Sequence, residues 1–296
     1  MKYAIQHTTE YLYSQTVMLC HNEAHLKPRD QPGQHCERFE LKVDPLPAHN
    51  GTRLDYLGNP VHYFTIQQPH VCLKVTAISE VHLELQSTYQ DNTIDWLEWV
   101  SQFQCSGATS DLVPRFCRLD SGMARVSKAV ADYAATSFKA SRSVYQAVAD
   151  LNQRIYNDFT YAPGMTSITT PLETILKHRQ GVCQDLAHLA IECCRSVGLP
   201  ARYVSGYLET LPPEGQTKLK GSDASHAWFE VYVGEGLWLG FDPTNDCLTS
   251  DQHIMLAWGR DYHDVTPLKG QALGGGESHH IRVAVDVERL PESNGA

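Results

Sequence analysis

The sequence predicts an α+β protein: an all-β, sandwich-like N-terminal region, then a core of helices packed on antiparallel strands. Three observations carry this reading. Before residue 90, apolar residues alternate with polar ones at Phe39, Leu41 and Val43, at Val71, Leu73 and Val75, and at Val81, Leu83 and Leu85. After residue 120 a helical stripe emerges at Val144, Ala147, Val148, Leu151 and Ile155. Strand patterns then return at Arg202–Leu208, His226–Val233 and Leu237–Phe241.

The elements follow in order. Turn chemistry at Asp44-Pro45, Asn50-Gly51 and Gly58-Asn59-Pro60 punctuates the early strands. Residues 86–120 lose all periodicity and read as a connection, with no helix expected before residue 120. The chain therefore divides into 1–100 (β-rich), 121–268 (the α+β core) and 269–296 (a C-terminal strand and tail). Thr170-Pro171-Leu172-Glu173 reads as a capping box with proline at the first helical position, opening a short helix that stops by Gly181. A further helix runs from Cys183 through Leu186, Leu189, Ala190, Cys193 and Val197, closed by Gly198 and Pro200. Beyond the Gly274-Gly275-Gly276 hinge, Ile281, Val283, Val285 and Val287 alternate as a late strand.

Composition narrows the function. With 24 Lys and Arg against 34 Asp and Glu, the formal charge is −10, and there is no basic block to grip phosphate backbones or anionic membranes. No apolar stretch approaches the ~18 residues of a membrane span. The N-terminal MKYAIQHTTEYLY lacks the unbroken apolar run of a secretory signal. Nine cysteines at low density, with no C-x-x-C pair, fit free thiols in a reducing compartment. A cytoplasmic, bacterial-style protein is expected, with no nucleic-acid or membrane partner and no cofactor or metal.

Three segments carry chemistry. In Gly181-Val182-Cys183-Gln184-Asp185 the cysteine opens a helix, where orphan N–H groups and the macrodipole favour a thiolate and can also hold an oxyanion. Position alone favours a small buried cysteine, since free cysteine is commonly buried. His226, in Ser225-His226-Ala227-Trp228, and Asp242, in Gly240-Phe241-Asp242-Pro243, can be tested by register. A three-residue Gly234-Glu235-Gly236 loop sets Val233 opposite Leu237, so opposed residue numbers sum to 470. His226 then faces Thr244, Asp242 faces Trp228, and the two are diagonal neighbours roughly 7–8 Å apart at Cα. A one-residue slip would separate them onto opposite faces. A nucleophile at a helix start and a His–Asp pair on adjacent strands are the parts of a Cys–His–Asp triad: Cys183 attacks, His226 carries the proton, and Asp242 orients the ring.

GVCQDLAHLA, GLPARYVSGYL, DASHAW and FDPTN, in that order, resemble the bacterial transglutaminase-like (transglutaminase core) superfamily. HNEAHLKPR and YLGNPVHYF resemble its N-terminal β domain, and GRDYHDVTPLKG its C-terminal motif. The resemblance implies a papain-like arrangement, with the nucleophile helix packed on an antiparallel sheet. It also implies Cys183, His226 and Asp242 as nucleophile, general base and orienting residue. Tyr161, in FTYAPG, sits where the family has an aromatic before the nucleophile, a candidate for the oxyanion site as well as for packing. The implied activity is thiol-dependent acyl transfer on a peptide or protein amide. Water as acceptor makes a peptidase or amidase, the preferred reading; an amine acceptor makes a transglutaminase.

Other readings stand beside it. Cys183, His226 and Asp242 are also zinc-binding residue types, but no closely spaced ligand pair accompanies them. The fold could serve as a non-catalytic interaction module. Cys193 fits core packing, with Cys194 on the same helix; Asp185 and His188 sit close enough to the helix start to line a cleft, although the helix dipole alone explains Asp185. Trp228 shares a face with His226, His279-His280 reads as a solvated pair, and Asp261, Tyr262 and Asp264 have no derivable role. The Pro/Gly-rich 209–224 segment is expected to rim the substrate cleft.

Overall fold

The computed structural model describes residues 1–84, 89–91, 94–107, 111–210, 225–276 and 278–291. Leu85 and most of the expected cleft rim at 209–224 lie outside these. The chain begins with five strands: β1 (Lys2–Ala24), β2 (Gln34–Asp44), β3 (His49–Leu54), β4 (Pro60–Ile66) and β5 (His70–Leu83). Helices α1 (Trp96–Cys105), α2 (Leu112–Cys117), α3 (Lys128–Ala134) and α4 (Val144–Asp158) follow. Next come β6 (Thr160–Tyr161), α5 (Leu172–His178), β7 (Gln180–Gly181) and α6 (Cys183–Ser196). The remaining strands are β8 (Ala201–Leu208), β9 (Ser225–Gly234), β10 (Leu237–Asp242), β11 (Cys247–Leu248) and β12 (His253–Gly259). Last are β13 (Leu268–Gly274) and β14 (His279–Leu290), after a 3-10 turn at Tyr262–Val265.

The 23-residue β1 organises the N-terminal region. Its first half pairs with β5 and β14, and after a register break between Leu12 and Val17 its second half pairs with β4 and β13. The sheet thus folds over itself. Phe64 and Ile66 of β4 meet Leu73, Val75 and Ala77 of β5 across an apolar interior, which is how one sheet makes a sandwich. The runs read separately at Val71, Leu73 and Val75 and at Val81 and Leu83 are one strand, β5, whose inward set passes through Ala77 and Ser79.

The core is a five-stranded antiparallel sheet in the order β11-β10-β9-β8-β12. Helix α6 lies against β8 and β9, and every residue from Asp185 to Arg195 is buried. Such a helix has no solvent face, so its packing rather than its propensity holds it. A Leu189→Ala change would cost about 2–5 kcal/mol through the cavity it leaves. Gly198, at φ +87°, makes the left-handed exit that closes the helix.

Edge strand β12 is covered from the N-terminal region by side-chain amides that imitate a neighbouring strand. Gln34 donates to the Met255 carbonyl and accepts from its N–H, both at 2.8 Å. Asn59 does the same at Trp258, donating at 2.9 Å and accepting at 3.1 Å. These bonds dock the two sheets and satisfy an otherwise open edge.

Several expectations need correction. Among the described residues of 86–120 lie helices α1 and α2; in α1, Trp96, Trp99, Val100 and Phe103 follow a helical i, i+3, i+4, i+7 period that the surrounding polar residues obscured. A boundary at residue 100 cuts α1, whose four buried side chains join the core cluster. The expected C-terminal strand is not set apart from the N-terminal region: β13 and β14 both pair with β1, completing the N-terminal sheet, and the expected tail beyond residue 291 lies outside the described residues. Pro171 is the N-cap of α5 rather than its first helical residue, and no side chain caps that end. The Thr170 hydroxyl accepts from the Ser167 N–H instead, so it is engaged in the preceding turn.

Candidate active site

The hairpin of β9 and β10 brings histidine and aspartate together. Its turn is two residues, Glu235 (φ +52°) and Gly236 (φ +78°), with Gly234 rather than Val233 opposite Leu237. Left-handed conformations at both turn positions match strand twist, which a three-residue loop would not need. An irregularity at Val233 then restores the sum of 470, from Trp238 opposite Tyr232 to Phe241 opposite Phe229. The inferred pairing of the strand bodies holds although the turn differs.

His226 Nε2 donates to Asp242 Oδ2 at 2.7 Å. Asp242 is fully buried and takes three more donors: the Thr244 N–H on Oδ1 at 2.9 Å, and Asn245 Nδ2 at 2.6 Å and His253 Nε2 at 3.3 Å on Oδ2. Burial alone would raise this carboxyl, but hydrogen bonds from His226, His253 and Asn245 outweigh it and hold the group well below the usual carboxylate range. Asp242 is therefore a fixed negative charge.

Cys183 opens α6 and is half-buried, within hydrogen-bonding reach of the His226 ring. With Nε2 committed to Asp242, Nδ1 is the ring nitrogen left for sulfur. Burial pulls the His226 pKa down, but the hydrogen bonds and charges of Asp242 and Cys183 override it and raise it to about 10. The imidazolium is the resting form at neutral pH.

Asp185 fixes the helix start. Its Oδ2 accepts the Val182 N–H at 2.9 Å and the Thr166 hydroxyl at 2.7 Å, taking up one terminal donor and leaving the first-turn N–H groups beside Cys183 for an incoming oxygen. Tyr161 is brought near by the short parallel pair β6–β7, where it lies opposite Gly181, two residues before the cysteine. Its ring is half exposed, and burial and the Cys183 charge both raise its phenol pKa, so it stays a proton donor.

The remaining candidates sort by surroundings. His188 does not line a cleft: it is buried, stacks on Tyr203 and accepts the Tyr262 N–H on Nε2 at 3.1 Å. Asp261 caps the 3-10 turn through the His263 N–H, and Asp264 accepts the Arg260 N–H, so the C-terminal motif is a folded clamp. Cys193 and Cys194 are buried, and His279 and His280 are exposed. Trp228 is buried and packs edge-on to His253 at 5.3 Å. Gly206, opposite His226 on β8, has no room for a Cβ against the Trp228 ring and the Ile254 carbonyl.

Sequence reasoning missed His253. It opens β12, a continuous apolar run through Trp258 that shows no alternation because every residue is buried. His226, Asp242 and His253 offer ligand atoms within 4.8 Å of one another, a metal-like grouping that does not include Cys183. The Ser250 N–H donates to His253 Nδ1 at 3.1 Å, so the proton sits on Nε2, which has no lone pair to offer an ion.

Comparison with known proteins bears on this geometry. Residues 131–243 match the transglutaminase-like superfamily, and residues 3–82 match the bacterial transglutaminase-like N-terminal region. Over 290 residues the chain is 40% identical to an uncharacterised protein of Mycobacterium tuberculosis, covering 97% of this chain and 92% of that one. The chain belongs to the bacterial transglutaminase-like superfamily. A Mycobacterium leprae relative, also uncharacterised, is 33% identical over 97% of this transglutaminase-like chain and 98% of its own. A crystal structure of a candidate cysteine protease from Cytophaga hutchinsonii superposes with a TM-score of 0.75 at 24% identity, covering 98% of this chain and 93% of that one, and it shares the fold. Among the described residues no helix is long and apolar enough to cross a membrane.

Proposed function

We propose that this transglutaminase-like chain is a cysteine-dependent acyl-transfer enzyme acting on amide bonds, as a peptidase or amidase. The observation that carries the reading is the His226 imidazole, held at 2.7 Å by a buried carboxylate and raised to about 10 beside a thiol at a helix start. In this reading the Cys183 thiolate adds to the amide carbon, and the carbonyl oxygen gains the electron pair within reach of the first-turn N–H groups, with Tyr161 as a further donor. The C–N bond then breaks, and His226 passes its proton to the departing amine. Water adds to the thioester, His226 takes its proton, and the acid leaves as the thiolate re-forms. Asp242 keeps the ring aligned throughout and stays ionised. An amine in place of water gives transamidation by the same steps, so the acceptor decides between the two outcomes.

The test is peptide-resolved mass spectrometry of iodoacetamide labelling at pH 6.5. Cys183 is expected to react at least about tenfold faster than glutathione, and His226→Ala to abolish that advantage. Cys247, whose thiol burial and neighbouring Asp242 push up to about 11, is the slow internal control. A Cys183 thiol no faster than glutathione and indifferent to His226 would overturn the reading. Turnover of an amide library, with and without an added amine, then identifies the acceptor, and Cys183→Ala is expected to remove it.

A further inference from the structure

Beside the His226–Asp242 pair lies a buried polar group whose position has no use in a three-residue mechanism. His253 sits at the start of β12, its ring centroid 6.3 Å from that of His226, and its side chain is nearly inaccessible. Its Nε2 lies 3.3 Å from the Oδ2 atom that also receives His226. On the opposite side of the ring, the Ser250 N–H points at Nδ1 at 3.1 Å, with the Ser250 hydroxyl at 3.4 Å. A backbone N–H can only donate, so Nδ1 must accept and the neutral ring carries its proton on Nε2, aimed at the carboxylate. Trp228 on β9 blocks ring rotation by an edge contact at 5.3 Å and 82°. Donor direction is thus set by backbone and packing rather than by Asp242.

We propose that His253 is a positioning residue for acyl transfer: it anchors Oδ2 of Asp242 from a second strand, beside His226, so that the carboxylate keeps the His226 ring turned toward Cys183. The inference rests on the Cys–His–Asp reading above. Thr244 holds Oδ1 and Asn245 holds Oδ2 from the following turn, but His253 reaches Asp242 from another strand of the sheet. Its anchor is independent of the turn that supplies the other two. Losing it leaves the carboxylate held only from its own turn, with more freedom to rock, and the ring that depends on it loses part of its alignment.

Two variants and one measurement on the unaltered protein test this. His253→Phe keeps a ring against Trp228 and removes the donor. It is expected to slow Cys183 alkylation at pH 6.5 by about ten- to hundredfold, the size of one lost hydrogen bond to a charged group, with the fold retained by circular dichroism. His253→Gln offers an amide N–H in nearly the place of Nε2 and is expected to recover the rate to within about threefold of the parent. A merely structural role predicts that Phe and Gln fall together or that neither falls, and either result overturns the proposal. In the unaltered protein, nitrogen-15 NMR is expected to show His253 as the Nε2-protonated neutral tautomer at pH 7. An Nδ1-protonated or charged ring there overturns the assignment without any variant, including the case where His253→Phe does not fold. A parent Cys183 no faster than glutathione refutes the acyl-transfer reading instead. A fast parent thiol unchanged in both variants refutes only the role of His253.

Discussion

Two histidines, one beside the nucleophile helix and one within it, are both shielded from water and rest in opposite charge states. His226, beside the start of α6, is raised to about 10, whereas His188, one turn into the helix, is pushed down to about 4. Burial lowers both, so burial does not separate them. The difference lies in what each ring nitrogen meets. His226 Nε2 donates to a carboxylate at 2.7 Å, which demands a proton; His188 Nε2 accepts a backbone N–H at 3.1 Å, which forbids one. Asp261 favours a charged His188, but its oxygens already serve the Met123 and His263 N–H groups, and Arg195 and His263 oppose it. Charge follows the direct partner rather than depth.

The acids divide in the same way. Asp242 is held below the usual range by its donors, while Glu192, deep in the middle of α6, is pushed by burial up to about 7 with only partial relief from Arg195 at 3.5 Å. One Glu192 oxygen, Oε2, has no partner among the described residues. The acid paired with His226 is thus held charged, while the acid in the middle of the helix is pushed toward its neutral form. A site that needs an ion pair at neutral pH gains from the first arrangement and would be disabled by the second.

The sharpest way to break this contrast is Asp242→Asn. Turnover is expected to fall by about 10³–10⁴-fold, and the His226 pKa, followed by NMR, to drop back toward or below the value of a free histidine as burial goes unopposed. A ring still charged at pH 8 in that variant would show that Cys183 alone sets it.

Stability against pH gives the next largest effect. The His226 pKa is raised from 6.5 to about 10, so its contribution is complete below pH 6.5 and disappears as pH climbs through 10. Urea titrations between pH 6.5 and 9.5 are expected to show a loss on the order of 3 kcal/mol that His226→Gln lacks. The Asp242 pKa is lowered, so its share is present above its ordinary value of 3.8 and fades as pH falls below that.

His188→Phe should be a purely structural change. It keeps the stack on Tyr203 but strands the Tyr262 N–H, costing about 1–3 kcal/mol in urea while leaving Cys183 alkylation unaltered. A large drop in alkylation would merge the two regions that the comparison separates.

The smallest effect belongs to Glu192→Gln. In the parent protein Glu192 loses stability as pH rises from 4.5 through 7, whereas His188 gains it as pH rises from 4 through 6.5, so the two offset. Removing the Glu192 titration is expected to uncover a rise of about 1–2 kcal/mol between pH 4.5 and 6.5. A flat profile would mean that the middle of the helix does not suppress charge as described.

Legibility in the sequence tracked how local each signal was. The helix beginning at Cys183 was readable from its apolar spacing and its Gly198 exit, and the body of the β9–β10 hairpin from register arithmetic, because neighbours along the chain set both. Helix α1 was hidden: its stripe of Trp96, Trp99, Val100 and Phe103 is regular, yet α1 is a single short helix among polar residues. Strand β12 was hidden for the opposite reason, since burial on both faces erases the alternation that marks a strand. His253 went unseen with it. The Asn59 amide, read only as part of a turn, became an edge-strand partner once β12 lay beside it, as did the Gln34 amide.

From the sequence alone come the residue types at the site, the helix that presents the thiol, and the shared face of His226 and Asp242. These depend on the periods of helix and strand, which act over a few residues. Tertiary structure decided which histidine carries charge, how Asp242 is anchored, and where the C-terminal strands belong. Each of those depends on groups far apart in the chain: His253 across the sheet from Asp242, Tyr262 over His188, β14 along β1. Electrostatics and burial act through space and not along the backbone, so no local pattern encodes them.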